Sequence, residues 1–307
     1  MYRGRRVAIA IPAHNEELLI GDTLDGLPAL VDGAYVTDDC SSDRTSEVVK
    51  GRQARDDRIH LNRHATNGGV GAAIKTAYAA ALADGHDLIV VMAGDDQMDP
   101  AALPALLDPL VDGTADFTKA DRLVAGHHES MSAWRLTGNH LLSILSRFAS
   151  GYWFVRDPQN GYVAITADAL DRMGLDRLAD GYVFENDMML EARIAGLRLA
   201  NVPVQARYGQ ETSGIQYLRF IPRTSWHLLR SYLGRIARQF LRRPSAAGLG
   251  YAAAALLLLS ALVTLFVIAD LALPLVAGGI LAFLAGIGLD VRADRREGAS
   301  VHLEDRP

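Results

Sequence analysis

Three groups of polar side chains follow short apolar segments in the first third of the chain. The groups are Pro12-Ala-His-Asn-Glu16, Asp38-Asp-Cys-Ser-Ser-Asp43 and Asp95-Asp-Gln97. Hard divalent cations prefer oxygen ligands, and carboxylates also accept hydrogen bonds from a base or a ribose. Asp95 and Gln97 are two positions apart, so on an extended segment they face the same side and can ligate one cation.

The elements that would position these groups alternate between strands and helices. Strands are predicted at Val7–Ile11, Ala34–Thr37, Ile59–Arg63 and Leu88–Met92, and helices at Glu16–Leu30, Asp43–Asp57 and Ala72–Asp84. This alternation predicts an α/β fold with a mostly parallel sheet, flanked by helices, whose strand ends meet at one edge. The polar groups would form a nucleotide crevice there, and Mg²⁺ or Mn²⁺ would neutralise a diphosphate leaving group. For Asp43 and Asp99 we favour helix capping.

The composition separates an ordinary soluble part from an apolar part. The chain has 307 residues and a net charge of −5, which argues against generic nucleic-acid binding. Cys40 is the one cysteine, so no intramolecular disulfide forms and a reducing compartment is the simpler interpretation. The N-terminus leads directly into a predicted strand without a cleavable signal pattern.

Two apolar runs near the C-terminus predict a transmembrane hairpin. Ala246–Ala269 and Leu271–Leu289 are each long enough to cross a bilayer, at about 36 Å and about 28 Å as helices. Arginines flank both outer ends of the pair, so both ends are expected to stay cytoplasmic. The alternative is a buried helical hairpin in a soluble protein.

The segment before these runs predicts an amphipathic helix. Between Ile215 and Arg243 there are seven arginines and no acid. Five apolar residues share one face: Trp226, Leu229, Leu233, Ile236 and Phe240. Arg235, Arg238 and Arg242 fall on the opposite face. We interpret this segment as a helix in the membrane interface, and a surface helix packed on the domain is the alternative.

Four segments together resemble the inverting family-2 glycosyltransferases with a GT-A (Rossmann-like) fold. They are Ile11-Pro-Ala-His-Asn-Glu-Glu17, Asp38-Asp-Cys-Ser-Ser-Asp-Arg-Thr45, Asn67-Gly-Gly-Val-Gly-Ala-Ala73 and Gly94-Asp-Asp-Gln-Met-Asp-Pro100. More closely, the chain resembles the polyprenyl-phosphate glycosyltransferases, such as dolichyl-phosphate mannose synthase and its bacterial undecaprenyl-phosphate relatives. The likeness covers roughly residues 5–215.

The resemblance implies a nucleotide-sugar donor and a divalent metal (Mg²⁺ or Mn²⁺). The donor residues it implies are Pro12, Ala13, Asn15, Glu16, Asp39, Ser41, Gly71, Lys75, Asp95 and Asp96. Ala13, Glu16 and Asp39 would surround the base and ribose, and Asp95 and Gln97 occupy the metal-ligand positions. The chain departs from the family where Ala93 replaces the first Asp of the motif and Asp96 replaces the usual Gly. This departure motivates an alternative, a catalytically impaired, membrane-anchored sugar-nucleotide-binding protein.

The resemblance also implies a polyprenyl-phosphate acceptor. A lipid phosphate is already ionised at neutral pH, so it needs cations rather than a general base. The catalytic candidates are Asp95, Arg122, Arg135 and Arg207. The acceptor or sugar pocket is assigned to Lys119, Asn139, Gln159, Asn160, Glu185, Asp187 and Ser213. Surface ion pairs are the alternative for the cations, and helix capping is the alternative for Glu185 and Asp187.

These inferences predict a GT-A domain over 1–214, an amphipathic interfacial region over 215–243, a transmembrane hairpin over 246–289 and a cytoplasmic tail over 290–307. The predicted function is inverting transfer of one sugar from a nucleotide-sugar to a polyprenyl phosphate at the cytoplasmic membrane face. Transfer to a non-phosphate lipid acceptor is a second alternative. Membrane lipids are expected partners, nucleic acid is not, and homo-oligomerisation is left open.

Overall fold

The computed structural model describes residues 1–122, 133–205, 217–242, 246–265 and 269–301. The strands in these ranges are β1 (Val7–Ala13), β2 (Gly33–Asp38), β3 (Ile59–Arg63), β4 (Leu88–Val91), β5 (Phe117–Asp121), β6 (Val163–Thr166), β7 (Leu199–Pro203) and β8 (Ser300–Val301). They form one sheet in the order β3-β2-β1-β4-β6-β5-β7-β8. Only β6 runs antiparallel to its neighbours, β4 and β5. The predicted mostly parallel α/β sheet is confirmed.

Helices connect the strands and cover the sheet. They are α1 (Ile20–Asp25), α2 (Thr45–Gln53), α3 (Val70–Ala83), α4 (Leu103–Val111), α5 (Ala133–Ser150), α6 (Ala167–Met173), α7 (Phe184–Ile194), α8 (Tyr217–Arg242), α9 (Ala246–Leu265) and α10 (Ala269–Glu297). Short 3-10 turns precede α4 and follow α6, at Pro100–Ala102 and Leu175–Arg177. Asp99 accepts a hydrogen bond from the amide of Ala101, as expected for a cap.

The residues of β1 alternate between two cores. Val7, Ile9 and Ile11 pack with apolar residues of α1, α2 and α4, whereas Ala8 and Ala10 pack with residues of α3 and α7. β1 is therefore buried on both faces, and a ligand can approach it only at its end. The strand order reverses between β1 and β4, which is where open α/β sheets form their ligand crevice.

The apolar C-terminal runs form α9 and α10, which pack against each other in antiparallel directions. A Cβ at Gly250 would lie 3.0 Å from the Cα of Gly286, and one at Gly279 would lie 2.8 Å from the Cγ of Leu258. Within the described residues one helix, Leu273–Glu297, is long and apolar enough to cross a membrane by length and composition. The predicted pair of crossings is thus supported for one helix.

The first residues of the region predicted as a tail pack on the α/β domain. α10 continues to Glu297, and β8 then pairs in parallel with β7. Oδ2 of Asp294 accepts hydrogen bonds from the amide of Trp153 at 3.0 Å and from Oγ of Ser300 at 2.9 Å. Arg193 pairs with Glu297 at 2.9 Å. Residues 290–301 therefore connect α10 to the sheet, and the domain boundary at residue 290 stays a prediction.

Helix α8 has the predicted apolar face, but its neighbours differ from the expectation. Trp226, Leu229 and Leu233 are exposed, by 68%, 47% and 57%. Arg235 lies opposite the exposed apolar side chains, as predicted, but it is fully buried and pairs with Asp290 of α10. Periodicity separates the two faces of a helix without showing which of them meets the domain, and here it is the face that carries Arg235.

Candidate functional site

The polar segments after β1 and β2 are joined by hydrogen bonds. The amide of Asn15 donates to Oγ of Ser41 at 2.9 Å, and Oδ1 of Asn15 accepts from the amide of Ser42 at 2.9 Å. The amide of Glu16 donates to Oγ1 of Thr45 at 2.8 Å. The side chains of Ser41, Thr45 and Asn15 thus accept hydrogen bonds from backbone amides of the opposite loop, as short polar side chains commonly do in turns.

The segment after β4 lies beside the same edge. The amide of Gly94 donates to the carbonyl of Pro12 at 3.4 Å, and the amide of Asp96 donates to Oγ1 of Thr23 in α1 at 3.2 Å. Each of the three loops holds one non-glycine residue at positive φ, namely Asn15 (58°), Cys40 (61°) and Asp96 (55°). Such backbone conformations concentrate at functional sites. The expectation that the three polar groups meet at one edge agrees with these contacts.

Asp39 is a buried carboxylate that organises the glycine loop, residues 67–71. Its oxygens accept the amides of Gly68 at 2.8 Å and Gly69 at 2.7 Å, and Nδ1 of His64 lies 2.7 Å away. Burial acts to raise the pKa of Asp39, but these hydrogen bonds outweigh it and hold the pKa below its ordinary value. Asp39 therefore presents a fixed negative charge beside the crevice.

The glycine loop packs tightly against the loop 178–181, which precedes α7. A Cβ at Gly69 would lie 2.6 Å from the carbonyl oxygen of Asp180, and one at Gly71 would collide with the carbonyl oxygen of Ala179. Nζ of Lys75 binds Oδ1 of Asp180 at 2.5 Å and the carbonyl of Leu178 at 3.0 Å. Close backbone approach explains these glycines, and the assignment of Gly71 and Lys75 to the nucleotide stays a prediction.

We expect Gly71→Ala to destabilise the fold by about 1–3 kcal/mol, because the added methyl group overpacks a contact between two backbones. Gly51→Ala is the matched control, since a Cβ at that position in α2 meets no atom within 4 Å. The midpoint of thermal unfolding of the detergent-solubilised protein measures both variants. Equal midpoints for the two variants would show that the glycine loop and the loop 178–181 can move apart without a cost in free energy of unfolding.

Asp95 is a half-buried carboxylate suited to a cation. The amide of Gln97 donates to its Oδ1 at 3.1 Å, and no lysine or arginine within the described ranges pairs with it. Burial raises the pKa of Asp95, and the charge of Asp96 adds to the effect. A bound divalent cation would relieve this penalty, so Asp95 fits the metal role. Among the described residues, no group of three or more His, Cys, Asp or Glu side chains is placed to hold a metal ion.

Lys119 of β5 is buried and Glu185 of α7 is half-buried, and both line one small cavity. Lys119 is 1% exposed, and its Nζ donates to the carbonyl of Asn160. Burial lowers the pKa of Lys119 to about 8, while Glu185 and Asp157 act in the opposite direction. Burial likewise raises the pKa of Glu185, and Lys119 opposes that shift. Direct contact of Lys119 with a lipid phosphate would require this packing to open. The position of Lys119 therefore favours a structural role, in which it holds β5 against the loop of Asn160.

Arg122 forms an ion pair with Asp157, in the loop that carries the predicted sugar-pocket residues Gln159 and Asn160. Its Nε donates to Oδ2 of Asp157 at 2.8 Å, and a second nitrogen lies 3.3 Å from Oδ1. Asn160 donates to the carbonyl of Ala120 at 2.9 Å and accepts from the amide of Tyr162 at 3.0 Å. Asn160 is thus a structural residue of the loop, whereas the side chain of Arg122 is still partly exposed, by 31%.

Gln159 and Asp187 connect α7 to neighbouring helices. Nε2 of Gln159 lies 3.3 Å from Oδ1 of Asn186, next to α5. Oδ1 of Asp187 lies 2.6 Å from Nε2 of His227 in α8, and its Oδ2 accepts the amide of Ala179 at 3.1 Å. The sequence analysis missed His227, because one histidine in an arginine-rich helix carries no spacing signal.

Four predicted residues cannot be placed in this site. Arg207 and Ser213 lie outside the described residues, and the side chains of Arg135 and Asn139 in α5 are likewise not among those described. The structure therefore brings the loops after β1, β2 and β4 together and pairs Arg122 with Asp157. The roles of Arg135 and Arg207 stay predictions.

Comparison with known sequences identifies the family to which the chain belongs. Residues 8–174, more than half of the chain, match glycosyl transferase family 2. The chain belongs to this family. Undecaprenyl-phosphate mannosyltransferase of Micrococcus luteus is 30% identical over 246 residues, covering 76% of this glycosyltransferase and 98% of that protein. Polyprenol monophosphomannose synthase of Mycolicibacterium smegmatis is 29% identical, covering 65% and 77% respectively.

Solved structures show the same fold. Glucosyl-3-phosphoglycerate synthase from Mycobacterium tuberculosis, in complex with Mn²⁺, UDP-glucose and phosphoglyceric acid, matches with a TM-score of 0.54 at 21% identity. The match covers 76% of this chain and 80% of that chain. At this identity the likeness establishes a GT-A-like α/β fold and leaves the substrates to be argued from the site.

Proposed function

We propose that this glycosyltransferase moves one sugar from a nucleotide-sugar to a polyprenyl phosphate, with inversion, at the cytoplasmic face of a membrane. The observation that carries the proposal is the course of α8, α9 and α10. Helix α8 packs on α5 and α7, the hairpin of α9 and α10 follows it, and all three helices expose apolar side chains before the chain returns to the sheet at β8. The names of the two bacterial relatives support a polyprenyl-phosphate acceptor.

The outward faces of these helices support a lipid environment. Trp226, Leu229 and Leu233 of α8 are exposed, and the exposed leucines of the hairpin are Leu249, Leu256, Leu258, Leu259, Leu273, Leu281 and Leu284. An apolar surface of this extent is unfavourable in water and favourable in a bilayer. Because the hairpin starts after α8 and ends at β8, its two ends lie on the side of the catalytic domain, and its opposite end, between α9 and α10, would lie across the membrane.

The donor would lie at the ends of β1, β2 and β4. Glu16 and Asp39 would contact the base and ribose, and Asp95 with Gln97 would hold Mg²⁺ or Mn²⁺. The cation would supply charge neutralisation for the departing diphosphate. Asp95 is suited to this role because its half-buried charge pairs with no basic side chain in the described ranges.

The acceptor chemistry requires cations more than a base. An ionised oxygen of the lipid phosphate forms a bond to the anomeric carbon while the bond from that carbon to the diphosphate breaks. The electron pair leaves with the diphosphate, and a single displacement inverts the configuration. Arg122, joined by Arg135 and Arg207 in our proposal, would reduce the repulsion between the two anions.

A panel of radiolabelled nucleotide-sugars tests the function directly. Membranes containing the protein and added polyprenyl phosphate should convert one donor into lipid-extractable label that requires Mg²⁺ or Mn²⁺. Polyprenol lacking the phosphate is the matched acceptor control. Label on polyprenol would favour the non-phosphate acceptor, and donor binding without any product would favour the catalytically impaired binder.

We expect Asp187→Asn to retain most of the transfer activity. Asparagine can accept the amide of Ala179 and donate to the other tautomer of His227, so both contacts survive. A general base could not survive this change, because the amide takes up no proton at neutral pH. Initial rates at saturating donor compare the variant with the wild type. A loss of about 10²-fold or more would identify Asp187 as a base and reject an acceptor that arrives ionised.

A further inference from the structure

Helix α8 carries two adjacent side chains that face opposite ways. Trp226 belongs to the exposed apolar face, whereas His227 faces α7, with its Nε2 2.6 Å from Oδ1 of Asp187. A carboxylate only accepts hydrogen bonds, so we assign the proton of this contact to Nε2 of His227. One turn of α8 thus carries both Trp226, on the surface proposed to meet lipid, and His227, which contacts the first turn of α7.

The second oxygen of Asp187 extends this contact into the loop 178–181. Its Oδ2 accepts the amide of Ala179 at 3.1 Å. The next residue, Asp180, binds Lys75 through its carboxylate at 2.5 Å and accepts the amide of Ala72 through its carbonyl at 3.0 Å. The loop 178–181 is therefore bound to α7 by one hydrogen bond and to α3 by a hydrogen bond and an ion pair.

The glycine loop completes the connection to the crevice. It lies directly before α3, its glycines touch the backbone of residues 179–181, and Asp39 accepts two of its amides. A series of hydrogen bonds and close backbone contacts runs from α8 through Asp187 and the loop 178–181 to the glycine loop. No other histidine of the described residues joins α8 to α7.

We propose that His227 is a positioning residue that holds the loop 178–181 against the glycine loop, so that the helix facing the lipid also fixes the donor crevice. The inference rests on the proposed function. It identifies His227 as the residue that connects the helix proposed to lie on the membrane with the loops proposed to bind the donor. Its physical basis is the partly buried carboxylate of Asp187, which loses a partner when His227 is removed and holds Ala179 less firmly as a result.

Hydrogen exchange tests the connection without any substrate. In His227→Ala we expect the amides of Ala179, Ala72, Gly68 and Gly69 to exchange about tenfold faster than in the wild type. His227→Gln, whose amide nitrogen can donate to Asp187, should restore slow exchange. Faster exchange at Ala179 alone, with Gly68 and Gly69 unchanged, would overturn the proposal, as would equal defects in the Ala and Gln variants.

Kinetics with the donor identified by the labelled panel separate positioning from general destabilisation. His227→Ala should raise the KM for the nucleotide-sugar about tenfold and leave the KM for polyprenyl phosphate in detergent unchanged. Trp226→Ala, at the neighbouring position, should leave the donor KM unchanged and weaken binding to vesicles. Equal effects of the two variants on both substrates would reject the separate role of His227. If the panel gave no glycolipid, the exchange result would still decide whether the connection exists, independently of the acceptor.

Discussion

Replacing Asp95 with Asn is expected to lower the rate of sugar transfer by about 10²–10³-fold, because several kcal/mol of charge stabilisation for the leaving diphosphate is lost. Asn keeps the size of the side chain and can still accept the amide of Gln97, but it binds a hard cation much more weakly. Initial rates as a function of Mg²⁺ and Mn²⁺ concentration measure the effect. Asp99→Asn is the matched control, since Asn caps the following turn as well as Asp does.

The same substitution is expected to raise stability while it lowers activity. Burial raises the pKa of Asp95, so the folded protein binds its proton more tightly than the unfolded chain does. Above the folded-state pKa the ionised carboxylate therefore reduces stability, and this penalty disappears as pH falls or when Asn replaces Asp95. A higher unfolding midpoint at neutral pH, together with lost turnover, would exclude misfolding as the cause. A wild-type rate with unchanged metal dependence would remove Asp95 from the mechanism.

The meeting of the three polar loops could be predicted from sequence because each polar group directly follows an apolar strand. Strand periodicity places β1, β2 and β4 in one sheet, and parallel strands bring their ends to one edge. What the sequence could not show is how those groups pair. Asp39 receives the amides of a loop about thirty residues away, and Gly71 is covered by the carbonyl of Ala179, more than a hundred residues away.

The missed elements have polar or very short sequences. β5 reads Phe117-Thr-Lys-Ala-Asp121 and lacks an apolar run, yet all five residues are buried. Its charges are tolerated because Lys119 donates to the carbonyl of Asn160 and Asp121 pairs with Arg156 at 3.6 Å. β8 has two residues, and only its pairing with β7 makes it a strand. Such elements are set by tertiary contacts that local patterns do not contain.

The junction of α8 with α10 gives the largest expected effect on stability. The guanidinium of Arg235 binds both oxygens of Asp290, at 2.9 and 3.2 Å, and donates to the carbonyls of Phe148 and Ala149. Both side chains are buried, at 0% and 3% exposure. We expect Arg235→Met to lower the free energy of unfolding by about 3–5 kcal/mol, because it leaves an unpaired buried carboxylate. Denaturant unfolding of the detergent-solubilised protein measures this change.

Two further variants separate the ion pair from the loss of a long side chain. Arg230→Met changes an exposed arginine on the same helix and should have almost no effect. Adding Asp290→Leu to Arg235→Met should recover most of the lost stability, since the uncompensated charge is then gone. If Arg235→Met cost no more than Arg230→Met, the contacts of β8, Asp294 and Glu297 would be enough to attach α10 to the domain. The ion pair between α8 and α10 would then contribute nothing to holding the hairpin.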